Sequence, residues 1–190
     1  GRQALFCENH AWAILSTGIL SDLMVQHLPA PALSRPPDYG HGQFYQRLTD
    51  EIEHRLSRVA QGEAPRLLTE ALHRFGGTRL GSRLFDQGTT ANAMLLARHF
   101  PGPFVASVLR ERLRAPRDLS WGMPDLVVLP GPNSRLPPGA AVPREFPAGA
   151  FWIEVKTRQD TARPAQVSWH DRLLTLGQDV ELWDLREAHL

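Results

Sequence analysis

Glu154 and Lys156 stand two residues apart in the segment Phe151-Trp-Ile-Glu-Val-Lys156. The segment alternates as a strand does, so Trp152, Glu154 and Lys156 share one face while Phe151, Ile153 and Val155 share the other. A carboxylate and an ammonium therefore leave one strand side by side. Lys156 is the only lysine in the sequence; arginine supplies the other fixed cations. Arginine is a planar fork of fixed charge, whereas lysine is a compact point charge whose pKa shifts readily on burial. An ammonium is what this position asks for, unless arginine-rich usage simply leaves its one lysine here.

A second carboxylate comes from Trp121-Gly-Met-Pro-Asp-Leu-Val-Val-Leu129. Pro124 confines Met123 to extended geometry, and Asp125 opens an apolar, β-branched strand over 125–129. Residues 130–149 are rich in Pro and Gly and read as a long loop. If the two strands pair as an antiparallel hairpin, the start of the first lies beside the end of the second. Asp125 then meets Glu154 and Lys156, and two acids and one base converge at one end of a sheet. A polar turn over 157–161 follows. Pro164 suits the first position of a helix running to about 176, which Gly177 caps. Trp169, Leu173 and Leu176 form its packed face, and Gln166 lies near its start, close to the gathered acids. A last strand is expected over 180–183.

The elements upstream read as helices. Residues 5–28 predict a strongly apolar one, with Leu5, Trp12, Leu15, Ile19 and Leu23 at helical spacings and Glu8 on the same stripe. A carboxylate facing a core is costly unless it is paired or binds metal; in a first turn it would instead be favoured by the helix dipole. After a breaker-rich loop over 29–42, helices are expected over 43–61, 65–75, 89–99 and 104–113. The last of these carries Arg110, Arg112 and Arg114, which with Arg117 make the densest basic cluster. Taken alone, that cluster reads as a solvated helix end suited to the dipole.

With 190 residues, 42% of them apolar, the chain is long enough for one domain with a real core. A formal net charge of +1 gives no bulk signal for nucleic acid, so any such signal is local. Cys7 is the sole cysteine, which excludes an internal disulfide and a Cys-rich zinc site. The eight histidines show no zinc spacing; His170 is near enough to the motif helix to be a supporting or DNA-contact residue. No apolar run reaches a membrane span, and the first residues lack a signal-peptide layout. The sequence does not open on Met, which predicts a domain of a longer protein.

Pro-Asp, a strand, a loop and then Glu-Val-Lys resembles the pattern of the PD-(D/E)XK nuclease superfamily. The flanking Gly-Met-Pro-Asp-Leu-Val-Val, Trp-Ile-Glu-Val-Lys, and Gln166 with Trp169, Leu173 and Leu176-Gly177 look like its VRR-NUC branch. Within that branch the chain is most similar to the nuclease domain of the Fanconi-associated nuclease family. The loop at 130–149 is longer than the family's usual connection, and Thr157 stands where many relatives carry a Gly-containing turn.

The resemblance implies an α/β fold, a small mixed sheet flanked by helices with a helical N-terminal portion. It implies a helical part over 1–118 and a catalytic core over 119–190, together one nuclease domain. It implies a deoxyribonuclease with Mg²⁺ or Mn²⁺ held by Glu8, Asp125, Glu154 and the peptide oxygen of Val155. Hard oxygen ligands suit such ions and leave room for water and phosphate. Lys156 would position or polarise the attacking water and offset charge, and Gln166 would orient the site or contact substrate. Arg110, Arg112, Arg114, Arg117, Arg158, Arg163 and Arg172 become phosphate-backbone contacts. The expected partner is branched or 5′-flap DNA in repair, with a repair complex as a further partner and no membrane, inside a bacterial cytoplasm or a nucleus. Two other readings stay open: a secreted antibacterial DNase toxin with an immunity protein, and a nuclease scaffold that only binds DNA or protein.

Overall fold

A computed structural model describes residues 3–7, 10–29, 35–39, 42–80, 83–114, 122–129, 150–157 and 160–184. The chain divides into two compact units, one of residues 1–9 with 118–190 and one of residues 10–117.

The first unit is built on a four-stranded sheet. Its strands are β1 (Gln3–Phe6), β4 (Leu126–Leu129), β5 (Phe151–Lys156) and β6 (Asp179–Asp184), adjacent in that order. β1 and β4 pair antiparallel, β4 and β5 pair antiparallel, and β5 and β6 run parallel. Parallel neighbours cannot be joined by a tight turn, and here helix α8 (Pro164–Thr175) makes the crossover. Its packed stripe, Trp169 and Leu173, is buried, as are Trp152 and Ile153 on β5 and Val127 on β4. Each such side chain contributes roughly 1.5–3 kcal/mol by leaving water. Gly177, at φ +73°, ends α8 in the left-handed conformation that glycine adopts without steric cost. The next residue, Gln178, is buried and accepts the Trp152 indole N–H at 3.2 Å, tying the helix end to the sheet.

β1 corrects the expected helix over 5–28. Ala4, Leu5, Phe6 and Cys7 alternate exposed, buried, exposed, buried, as a half-covered strand does. Four residues are too few, and too uniformly apolar, for that period to be visible in the sequence. The helix proper starts at His10, so Leu5 is not part of the stripe on which Glu8 was placed; Glu8 lies outside the described residues. The loop over 130–149 lies outside them as well.

The second unit is helical: α1 (His10–Ile19), α2 (Ser21–Gln26), α3 (Gln43–Arg47), α4 (Thr49–Arg58), α5 (Ala64–Phe75), α6 (Gln87–His99) and α7 (Gly102–Arg114). The helix expected over 43–61 is two, because the backbone leaves helical geometry at Leu48, and a wide turn over Val59–Glu63 then leads into α5. A short hairpin, β2 (Thr78–Leu80) with β3 (Arg83–Phe85), follows α5 and was not legible in a three-residue pattern. α6 begins two residues before the expected start, because Asp86 accepts the Thr89 N–H at 2.8 Å and Thr89 Oγ1 accepts the Asp86 N–H at 3.1 Å. No helix among the described residues is long and apolar enough to cross a membrane.

Candidate active site

The register of β4 on β5 brings the two acids together. Leu126 pairs with Ile153, so Asp125, one residue earlier, faces the end of β5. Its Oδ2 accepts the Val155 backbone N–H at 2.9 Å. In an antiparallel pair a residue's N–H and C=O point to the same neighbour, so the Val155 carbonyl is also directed to the Asp125 side. β1 pins the same corner: the Cys7 N–H donates to the Asp125 carbonyl oxygen at 3.0 Å, and the buried thiol reaches the Pro124 carbonyl at 3.5 Å.

Glu154 is almost wholly buried, with its side chain 1% exposed, and Lys156 is 12% exposed. Lys156 Nζ lies 2.8 Å from Glu154 Oε1. Strand alternation puts the two on one face, as expected for residues two apart. Helix α8 supplies the next layer. Gln166 Oε1 accepts from Lys156 Nζ at 2.9 Å and from the Arg163 backbone N–H at 2.9 Å, while Gln166 Nε2 donates to Glu154 Oε1. The amide orientation is therefore dictated by its neighbours: a flipped amide would aim N–H groups at an ammonium and an amide proton. The Arg163 side chain has no acceptor, so only this half of a capping box forms at the start of α8. One turn on, His170 Nε2 lies 3.9 Å from Glu154 Oε2.

Gly122 explains how the Pro-Asp segment lies so close to α8. A Cβ there would sit 2.2 Å from the Ala165 carbonyl oxygen and 2.7 Å from the Gln166 nitrogen, so only glycine fits.

The charges in this corner pull against one another. Burial pushes the Asp125 carboxyl above the ordinary range; the Val155 N–H opposes this, the Glu154 charge adds to it, and Lys156 offsets part. Burial also pushes Glu154 up, but His170 and Lys156 more than reverse it and hold Glu154 below the ordinary range. Oε2 of Glu154 is buried and accepts no hydrogen bond. An anionic oxygen held dry and without a donor, beside a second carboxylate raised by desolvation, fits a hard divalent cation. Among the described residues no group of three His, Cys, Asp or Glu gathers as a metal site.

Asp125, Glu154, Lys156, Gln166 and the Val155 peptide thus come together. The arginines fare differently. Arg110 donates twice to Glu53 Oε2 and Oε1 through its Nη2 and Nε, at 2.7 and 2.8 Å. Arg112 is buried, 7% exposed. Arg114 Nη2 lies 3.1 Å from the Tyr45 hydroxyl, with its side chain 53% exposed. Arg163 is exposed and Arg172 is half-buried; Arg117 and Arg158 lie outside the described residues. The cluster that looked like one exposed patch is thus partly a structural network around Glu53, because alternate positions on α7 face opposite sides. His170 is a further neighbour of the site. Its signal was the four-residue spacing from Gln166, which puts both on one helix face.

A small mixed sheet with Pro-Asp leading one strand and Glu-x-Lys ending the next is the core of a PD-(D/E)XK-like nuclease fold. Two solved chains of paFAN1 share it: one bound to 2nt 5′ flap DNA with gap (TM-score 0.76, 16% identity, 97% of this chain and 32% of that chain), the other bound to 1nt 5′ flap DNA with gap (TM-score 0.75, 17% identity, 98% and 32%). The chain belongs to the VRR-NUC domain family, which it matches over residues 74–185. It is 24% identical over 194 residues to the Fanconi-associated nuclease 1 homolog of Arabidopsis thaliana, covering 100% of this chain and 21% of that protein. It is also 24% identical over 191 residues to that of Dictyostelium discoideum, covering 96% and 17%. The chain thus spans about a fifth of the length of these curated relatives.

Proposed function

We propose that the chain is a divalent-metal-dependent deoxyribonuclease that hydrolyses phosphodiester bonds, with branched DNA, 5′ flaps foremost, as its substrate and DNA repair as its setting. The observation that carries the reading is the meeting of Asp125, Glu154, Lys156 and Gln166 at one sheet end. Membership of the VRR-NUC family supports the reaction class. The flap preference draws on the DNA in the paFAN1 structures.

Asp125, Glu154 and the Val155 carbonyl would hold Mg²⁺ or Mn²⁺. Glu8 is proposed as the third carboxylate, since it follows Cys7, which is bonded to Asp125. When bound, the cation supplies Lewis-acid polarisation of a phosphoryl oxygen and lowers the pKa of water. Lys156 places a positive charge where negative charge develops on phosphate, and Gln166 fixes the direction of that ammonium. Arg163, exposed at the start of α8 in the unit that carries the site, is proposed for a sequence-independent phosphate contact, and Arg114, exposed on α7, for another. Arg172, Arg117 and Arg158 join them in the proposal. Arg110 and Arg112 are committed to the fold of the helical unit.

The test is cleavage of a panel of 5′-flap, 3′-flap, splayed, junction and linear duplex DNAs with Mg²⁺, with Mn²⁺ and with EDTA. Metal-dependent cutting that favours the 5′ flap and vanishes in Asp125→Ala and Lys156→Ala supports the reading. Cutting in EDTA, or an unchanged rate in either variant, overturns it.

A further inference from the structure

Glu154 offers two oxygens, and they are treated differently. Oε1 receives both Lys156 and Gln166, whereas Oε2, although buried, accepts no hydrogen bond. The group that faces Oε2 is the His170 imidazole, whose Nε2 is likewise buried and makes no hydrogen bond. The two atoms lie 3.9 Å apart, longer than a hydrogen bond. Gln166 and His170 are four residues apart on α8 and so occupy one helix face. That face is itself anchored, because the adjoining stripe of Trp169 and Leu173 is buried.

We infer that His170 is a positioning residue: Gln166 bonds the Oε1 end of the Glu154 carboxylate, the His170 imidazole flanks the Oε2 end, and together they limit the turning of its plane and thereby set the cation affinity of the site. The physical need is specific. The last torsion of a glutamate is broad and two-fold, so partners on Oε1 alone leave the plane free to rock. A ligand carboxylate binds a cation best when its lone pairs already point at the ion, and loss of an orienting partner typically weakens binding about 10- to 100-fold. A helix pinned by a tryptophan and a leucine supplies the rigid backing that such orientation requires. The inference rests on the metal-dependent reading above and adds to it a residue that acts through Glu154.

The full chain, His170→Leu and His170→Gln are compared by calorimetric titration with Mn²⁺, alongside thermal melting. Glutamine carries an N–H close to where His170 Nε2 stands, while leucine fills the space without one. The expected result is Mn²⁺ binding about tenfold or more weaker in His170→Leu and near the parent value in His170→Gln, with closely similar melting temperatures. Equal Mn²⁺ affinity in His170→Leu and the parent overturns the inference and leaves the nuclease reading intact. A parent chain that binds no Mn²⁺ overturns both. Should His170→Leu fail to fold, the imidazole ¹⁵N resonances of His170 decide. They are expected to move on Mg²⁺ addition to the parent chain and to differ in Glu154→Gln. Resonances that ignore both changes overturn the inference.

Discussion

The Asp125 carboxylate accepts the Val155 backbone N–H at 2.9 Å, just past the point where the ladder between β4 and β5 ends. One bond therefore does two jobs. It continues the pairing with a side chain where the main chain has stopped, and it holds one acid against the peptide that follows the other. The charge is kept there at a cost, since burial and Glu154 both favour the protonated form.

That cost predicts a trade between stability and activity. A raised folded-state pKa means that the metal-free fold loses stability as pH rises from the unfolded value, about 3.9, through the higher folded one. Asp125→Asn removes the charge and keeps an oxygen for Val155. Metal-free Asp125→Asn is expected to melt above the parent at pH 7, while its cleavage rate falls roughly 10²-fold or more. Mg²⁺ or Mn²⁺ should raise the melting temperature of the parent, because the cation binds the folded state, and should raise that of Asp125→Asn little. Differential scanning fluorimetry with and without metal checks both.

Gln166 is expected to behave as an organiser. Gln166→Ala removes the acceptor of Lys156 Nζ and the donor to Glu154, along with half of a helix cap. Cleavage should drop roughly 10- to 100-fold, against a stability loss of only about 1 kcal/mol. Urea unfolding and single-turnover cleavage, measured on one preparation, separate the two effects.

Gly122→Ala tests the close approach beneath the site. The added Cβ would meet the Ala165 carbonyl oxygen at 2.2 Å, and that atom is backbone in the first turn of α8. The helix start must move, taking Gln166 with it. A stability loss of about 1–3 kcal/mol is expected, with a fall in cleavage at temperatures where the variant is fully folded. An unaltered rate would mean that the start of α8 does not control the site.

In the helical unit, Glu53 couples α4 to α7. Hydrogen bonds from Arg110 lead in holding its carboxyl at about 2, below its ordinary 4.5; burial opposes them and the Tyr45 hydroxyl assists. A depressed pKa stabilises the fold above the unfolded value, and that contribution fades as pH falls toward the folded one. With Glu53 32% exposed, solvent screening reduces its worth to roughly 1–2 kcal/mol. Glu53→Gln should be destabilised by that amount at pH 7, and the gap should close between about pH 4.5 and 2. Urea titrations across this range measure it.

The convergence of Asp125, Glu154, Lys156 and Gln166 was legible in the sequence because local rules tie them together. A period of two puts Glu154 and Lys156 on one face, and an apolar strand on each side of a loop implies a hairpin whose ends meet. Pro164 and Gly177 mark the helix that carries Gln166. These are properties of neighbours along the chain, and residue types report them directly.

What only the tertiary structure decided depends on partners far away in sequence. β1 is a strand because β4 offers it an edge, and Leu5 pairs with Val127 across more than a hundred residues; its own four residues, three of them apolar, carry no period that could announce this. Arg110, Arg112 and Arg114 look alike in the sequence, yet α7 turns one into the core and another onto Glu53. His170 acquires its meaning from the oxygen it faces. Local periodicity determines which residues share a face, but long-range packing alone determines what that face meets.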